Sequence, residues 1–375
     1  MVHKGYKVCD VDMHVMEPPD LWQKYIDAPF KHRAPIGLKQ VPWDVRLQVD
    51  GKILPNMFQA SGNFPSLEKI SLQHKRQERF RAVGELGWPA AAQLDAMDQE
   101  GVDCSVLYPT RGLYAVAFED IDHDFAAAIA RAYNNWLYDY CQADPQRLYG
   151  AALIAPHDVD RAMVELERAH RELGFRAAFL RPNTMYGRNW HDGYYEPLWA
   201  LAEDLGMPIA FHEAMAPGVH QVGDRFGDNP FLRHIACHPM EMMLAVMSVC
   251  GGGVLARHPG LKIAFLECNC GWVPWLLDRM DDHYEIRFFI SEKELPEAPS
   301  RYFINQCFVA TEPDEGGMKQ AIEQMGDDNL VVSTDWPHVD SRFPEAIATF
   351  LKNDISAESK RKILWDNCSR LYGLE

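Results

Sequence analysis

The chain has 375 residues, and 37 Lys plus Arg against 54 Asp plus Glu give a formal charge of −17 at pH 7. That excess argues against sequence-independent binding to nucleic acid or to an anionic membrane surface, because both attractions need a basic footprint. With 47% hydrophobic and 24% charged residues the chain can build a large core and is not disordered by composition, which leaves small molecules and protein partners as its ligands.

In chain order, Met1 to Tyr6 has no apolar h-region and does not read as a signal peptide. The first β-branched run, Lys7 to Asp12, is followed by a polar, proline-dotted stretch from Lys31 to Arg81. A second run, Val102 to Tyr108, leads into a helical stretch from Ile121 to Ala143; a third, Leu148 to Ala155, into Asp158 to Leu173; and a fourth, Arg176 to Arg181, into Tyr194 to Leu205. The fifth, Pro208 to His212, is separated by Met215 to His238 from a helix over Pro239 to Arg257. The sixth, Lys262 to Glu267, precedes Trp272 to Ile290; the seventh, Gln306 to Ala310, precedes Asp314 to Met325; and the eighth, Leu330 to Thr334, precedes Pro344 to Leu351.

Eight strands, each followed by a helix, imply a parallel sheet, and eight is the number that closes it. The reading is a single α/β domain over 1–375, a (β/α)₈ TIM barrel with insertions after strands one and five, the stretch 31–81 acting as a lid or partner surface. An open doubly wound sheet is the competitor, but no Gly-x-Gly-x-x-Gly opens the first helix. The longest apolar stretch, Met242 to Ala256, is broken by Ser248 and Gly251 to Gly253 and is too short to span a bilayer. Nine cysteines without a CxxC pair read as reduced, buried thiols, which points to a cytoplasmic protein.

Three strand ends carry chemistry. Asp12 and His14, two apart on the first strand, face the same way, and Asp10 shares that parity, while Glu17 follows where the strand breaks toward Pro18-Pro19. Oxygen and imidazole donors on one face suit Zn²⁺, Mn²⁺ or Fe²⁺; a buried carboxylate–histidine pair is the other reading. His212 ends the otherwise apolar fifth strand, and Asp335 directly follows the eighth in Ser333-Thr334-Asp335-Trp336-Pro337-His338. Barrel enzymes place catalytic groups at that C-terminal rim, and three such sites converge on one mouth.

These residues resemble the metal-binding pattern of the amidohydrolase superfamily. The surrounding text is similar to its amidohydrolase-related branch, which includes aminocarboxymuconate-semialdehyde decarboxylase. The likeness runs through Pro18-Pro19-Asp20-Leu21-Trp22, His238-Pro239-Met240-Glu241, His258-Pro259-Gly260, Glu267-Cys268-Asn269-Cys270-Gly271-Trp272 and Ser333 to His338. It implies a divalent metal (Zn, Mn or Fe) held by Asp12, His14, His212 and Asp335, with Asp335 and His212 as the catalytic pair and Asp335 as acid or base. The reaction implied is hydrolysis or non-oxidative decarboxylation of a small carboxylate, amide or ester. A homo- or hetero-oligomer is implied as well.

Two departures stand out. Asp12 takes the place of the first histidine of the usual His-x-His, and the strand-six histidine of the decarboxylases is replaced at Glu267 or Cys268. Surplus donors, Glu17, His238, Glu267, His283 and His338, are enough for a second metal, which would suit a dinuclear iron or manganese oxygenase. A catalytically silent subunit is a third reading. Arg181 and Arg111 end strands four and two, and Arg181 is a candidate clamp for a substrate carboxylate, with Trp336 as an apolar wall beside it.

Overall fold

A computed structural model describes residues 5–39, 44–55, 78, 80–216, 218–227, 229–286, 295–338 and 340–374. Strand β1 (Cys9–His14) is followed by β2 (Ile36–Gly37), β3 (Leu47–Val49) and β4 (Lys52–Leu54), which pair antiparallel in a small sheet of their own. The strands β5 (Cys104–Tyr108), β6 (Leu148–Leu153), β7 (Ala177–Leu180), β8 (Ile209–His212), β9 (Ile263–Leu266), β10 (Cys307–Thr311) and β11 (Leu330–Val332) join β1 in one eight-stranded parallel sheet, in sequence order. Most of these eight are buried along their whole length, as the apolar runs require when helices cover one face of each strand and the barrel interior the other.

The ring closes just beyond the last strand. The Asp335 N–H donates to the Asp12 carbonyl at 3.2 Å and the His14 N–H to the Trp336 carbonyl at 2.7 Å. At the same seam the Thr334 N–H and hydroxyl both donate to the Asp10 carboxylate. The β1–β5 register slips between Asp10 and Met13, a bulge that breaks the simple parity of the first strand. Asp10 therefore closes the seam instead of joining Asp12 and His14.

Surrounding helices begin where polar caps permit. The Asp122 side chain accepts from the Phe125 N–H ahead of His123–Cys141, and the Asp158 side chain from the Arg161 N–H ahead of Val159–Arg171. One boundary differs from the sequence reading by nine residues. The helix expected from Pro239 starts at Pro230, because Asn229 caps it and Pro230 supplies the first-turn proline, so that Pro239 lies inside Pro230–Val246. A continuous helical stretch, Pro230–Arg257, has the length and apolarity to cross a membrane, and 56% of its apolar window is buried inside the fold. The helices Ala90–Glu100, Pro299–Gln306 and Asn367–Tyr372 lie outside the helical stretches read from the sequence. Of the stretch 31–81, residues 40–43, 56–77 and 79 lie outside the described residues, as do 287–290 of the helix expected over Trp272 to Ile290, which is described as Val273–Ile286.

Candidate metal centre

Four strands deliver one cluster. Asp12 and His14 come from β1, His212 from the end of β8, Glu267 directly follows β9, and Asp335 follows β11; Asp12, His14 and His212 are fully buried. His14 Nε2 and His212 Nε2 stand 3.1 Å apart, Asp12 Oδ1 is 3.4 Å from each, and Asp335 Oδ1 is 3.5 Å from His14 Nε2.

The tautomers follow from the other ring nitrogens. His14 Nδ1 lies 2.8 Å from the Pro109 carbonyl and His212 Nδ1 2.7 Å from the Glu213 carbonyl, and a carbonyl only accepts. Each Nδ1 therefore carries the proton, and two Nε2 lone pairs converge. Neutral rings in that arrangement cannot hydrogen-bond to one another. Both oxygens of Asp12 and Oδ1 of Asp335 are likewise buried without a hydrogen bond. Donors around an ion bound at about 2.1 Å are separated by about 3.0 Å in octahedral and about 3.4 Å in tetrahedral geometry. The observed separations, 3.1 to 3.5 Å, match. Asp12, His14 and His212 bring one donor atom each to within 4.8 Å of one another, a set that fits a divalent cation, while Asp335 groups with His14 and His338; the Nδ1 contacts hold both rings with Nε2 facing the cluster.

The electrostatics are polarised across the cluster. Burial works to raise the Asp12 carboxyl, but His212 and His14 beside it bring it down to about 2. Burial works against the His212 cation too, and Asp12 and Glu267 outweigh it, so His212 is raised. Asp335 is pushed well above the carboxylate range by burial and by the negative charges of Glu267, Asp340 and Asp12. His338 is held well below the usual imidazole value by burial and by His14, on which its ring stacks at 4.0 Å. A bound dication in contact with Asp335 would oppose that rise.

The additional candidates divide. His338 Nδ1 lies 2.7 Å from Asp335 Oδ1, and its Nε2 lies 3.0 Å from the Thr110 hydroxyl. Glu267 Oε2 is 3.4 Å from His212 Nε2 and 3.5 Å from His238 Nε2, which reaches in from the helix Pro230–Val246. The histidine that strand six lacks is thus delivered beside Glu267 by another element. Burial opposes the His238 cation, but Glu267 wins and raises it to about 9.

Glu17 and His283 stay outside. The Glu17 carboxylate accepts the backbone N–H groups of Thr110, Arg111 and Gly112, at 3.1, 2.8 and 2.8 Å, so it anchors the loop after β5. His283 is exposed on Val273–Ile286 and meets the Arg279 carbonyl one turn back. Arg181 is engaged at every guanidinium nitrogen, by Glu213, Asn183 and the Leu113 and Ala214 carbonyls. Arg111 ties the Glu17 carbonyl to those of Leu38 and Asp44. Trp336 packs among Phe80, Trp88 and Phe343. Cys268 is buried, which pushes its thiol up.

Sequence reasoning missed Thr110 and Asp340. The apolar run into Tyr108-Pro109-Thr110 is the same strand-end signal that exposed His212. Glu267, Asp335 and Asp340 bring one oxygen each to within 4.8 Å of one another, and nothing local in the sequence announces that.

A carboxylate–imidazole cluster at the C-terminal mouth of an eight-stranded parallel barrel sets the class of fold and site, and the family follows from comparison. The amidohydrolase family matches residues 9–374, and the chain belongs to it. Gamma-resorcylate decarboxylase from Polaromonas sp. (strain JS666) is 27% identical over 292 residues, 74% of this chain and 85% of that protein. The crystal structure of an amidohydrolase from Mycobacterium avium subsp. paratuberculosis K-10 aligns over 100% of this chain and 99% of that one, at 23% identity and a TM-score of 0.78. A dihydroxybenzoic acid decarboxylase from Polaromonas sp. JS666, solved with bound manganese and the inhibitor 2-nitroresorcinol, aligns over 98% of this chain and 97% of its own, with 18% identity and a TM-score of 0.66. The two structures agree with the barrel fold.

Proposed function

We propose that this chain is a metal-dependent, non-oxidative decarboxylase of a small carboxylate attached to an unsaturated or aromatic carbon. The carrying observation is the pair of converging Nε2 lone pairs flanked by orphaned oxygens of Asp12 and Asp335. The similarity to gamma-resorcylate decarboxylase favours this reaction over amide or ester hydrolysis. Asp12, His14, His212 and Asp335 would hold the ion, which supplies positive charge to polarise a carboxylate or its neighbouring oxygen. Manganese is the first ion to test, ahead of zinc and iron, because the structurally similar decarboxylase holds it.

In the reaction the bond between the carboxylate carbon and the adjacent carbon breaks, carbon dioxide leaves, and the electron pair left behind takes up one proton. Asp335 is positioned to hold that proton, its Oδ1 lying 3.5 Å from His14 Nε2 and 2.7 Å from His338 Nδ1. His338, braced by Thr110, sets its orientation. The closed barrel wall keeps Asp12, His14 and His212 out of bulk water, which strengthens every charge interaction among them. A cytoplasmic location fits the nine buried, free thiols.

A second reading has one observation behind it. The Glu267, Asp335 and Asp340 oxygens form a second donor set that shares Asp335 with the first, as a dinuclear centre would require. Metal analysis separates the two: one equivalent with anaerobic release of carbon dioxide supports the decarboxylase, two equivalents with oxygen uptake the dinuclear oxygenase. Asp335→Asn should keep the fold and lower turnover by about 10² to 10⁴. Full activity in that variant, or in protein stripped by chelator, overturns the proposal.

A further inference from the structure

The helical stretch Pro230–Arg257 buries only 56% of its apolar window inside the fold, and the remainder faces outward. Of the thirteen large apolar side chains exposed among the described residues, seven fall between Phe226 and Met247. Single exposed apolar residues are ordinary on a protein surface, but a concentration on one element marks a contact surface.

Their spacing orders them. Phe231, Ile235, Pro239, Met243 and Met247 recur every fourth residue and make one ridge along the helix, and Leu232, Ala236, Met240 and Leu244 make the ridge beside it. Ala236 is small and buried, which leaves a notch in the second ridge. No charge interrupts either ridge, because Arg233 and Glu241, the two charged residues of Pro230–Val246, turn inward. The Arg233 guanidinium meets Asp224 at 2.6 Å, and the Glu241 carboxylate accepts the Val222 N–H at 2.6 Å. Charges inside and large apolar groups outside are the reverse of what a helix facing water requires.

Three observations select a second copy of this chain as the occupant. Ridges of four-residue period fit grooves of the same period when two helices cross at about −50°, so the stripe is complementary to itself, as a twofold contact demands. Seven side chains, 37–71% exposed and of about 150–200 Å² each, present roughly 600 Å² of apolar surface, most of the ~800 Å² per partner that a standard interface buries. Each chain carries a formal charge of −17, so two copies can approach closely only through a face free of charge, which the ridges supply. The same excess repels an anionic lipid surface.

We propose that the stripe from Phe231 to Met247 is the contact surface of a twofold homodimer, the ridges of each copy seated in the grooves of the other. The helix then works on two faces. Its outer face packs on the second copy, while His238 on its inner face reaches Glu267 at 3.5 Å. The second copy thereby braces the element that brings this histidine to the cluster. The assignment holds whatever reaction the cluster supports.

The test is sedimentation velocity with light scattering on the full, metal-loaded chain at micromolar concentration. Wild type should run at twice the 42.8 kDa mass of the chain. Met240→Glu puts like charges on both copies at the middle of the stripe, so it should weaken self-association about 100-fold or more and leave a folded monomer with unchanged metal content. Leu244→Glu serves if Met240→Glu does not fold. Met240→Lys should also give a monomer, and an equimolar mixture of the Glu and Lys variants should restore the dimer, because the opposite charges meet only where the stripe faces itself. Val164→Glu, at an exposed apolar position on Val159–Arg171, should leave the dimer intact. A monomeric wild type, an oligomer that the Glu variants leave intact, or a mixture that stays monomeric overturns the proposal. So does a monomer that binds neutral phosphatidylcholine vesicles and loses that binding in Met240→Glu, since the occupant is then a lipid surface.

Discussion

Two buried polar clusters share the mouth of this barrel and are built on opposite terms. Around Arg181 the donors and acceptors balance: the guanidinium meets Glu213 Oε1 at 2.5 Å, Asn183 at 3.0 Å and two carbonyls, while Asn183 donates to Glu213 Oε2 and Gln221 to Oε1. Around His14 the outer ring nitrogens are bonded to carbonyls but the inner atoms do not balance. Two lone pairs face each other, and Asp12 has no hydrogen bond on either oxygen. A closed network of this kind holds loops in place, whereas an open one marks where a ligand is missing from the account. Both were candidate sites in the sequence, so the hydrogen-bond census is what tells them apart.

Substitution should separate them sharply. Asp12→Asn removes a donor from the open cluster, and turnover should fall by 100-fold or more with loss of bound metal, while the metal-free protein keeps its stability to within about 1 kcal/mol. Elemental analysis and chemical denaturation of chelated protein read the two halves of that statement. Arg181→Met breaks the closed network and strands Glu213, so it should cost about 3–5 kcal/mol of stability while the folded fraction still takes up metal. If Arg181→Met were harmless and Asp12→Asn unfolded the chelated protein, the contrast would be reversed.

The His238–Glu267 pair lies between these extremes and should show as a pH effect. Because His238 is raised to about 9 in the fold, its contribution is fully present below the unfolded value near 6.5 and fades as pH rises through 9. Chelated wild type should therefore lose on the order of 2–3 kcal/mol more than His238→Gln between pH 6.5 and 9. Parallel pH curves for the two would remove the pair from the site. The smallest effect belongs to His283→Ala, which should change stability by less than about 0.5 kcal/mol and leave the metal count alone; a lost equivalent of metal would return His283 to the centre.

Much of the scaffold was legible because it is written locally. Apolar runs such as Ile263-Ala-Phe-Leu266 announce a strand buried on both faces, and the spacing of Asp12 and His14 places both on one side of β1. The bulge at Asp10 was not legible, since a register slip is a property of two strands. The start of Pro230–Val246 was misplaced because two prolines competed for the first turn, and only the Asn229 cap decided between them.

For the site, the sequence by itself determined which residues could be ligands: an alternating pair on the first strand, a histidine ending the fifth, an aspartate after the eighth. Glu17, His238, Glu267, His283 and His338 looked equivalent at that level, because all lie near strand ends or helix starts. Only the tertiary structure sorted them, drawing His238, Glu267 and His338 to the cluster, turning Glu17 to the backbone of residues 110–112 and leaving His283 in solvent. The physical reason is distance along the chain. The decisive contact, His14 to His212, joins residues 198 positions apart, and its geometry is set by how the barrel closes, which local side-chain periodicity does not encode.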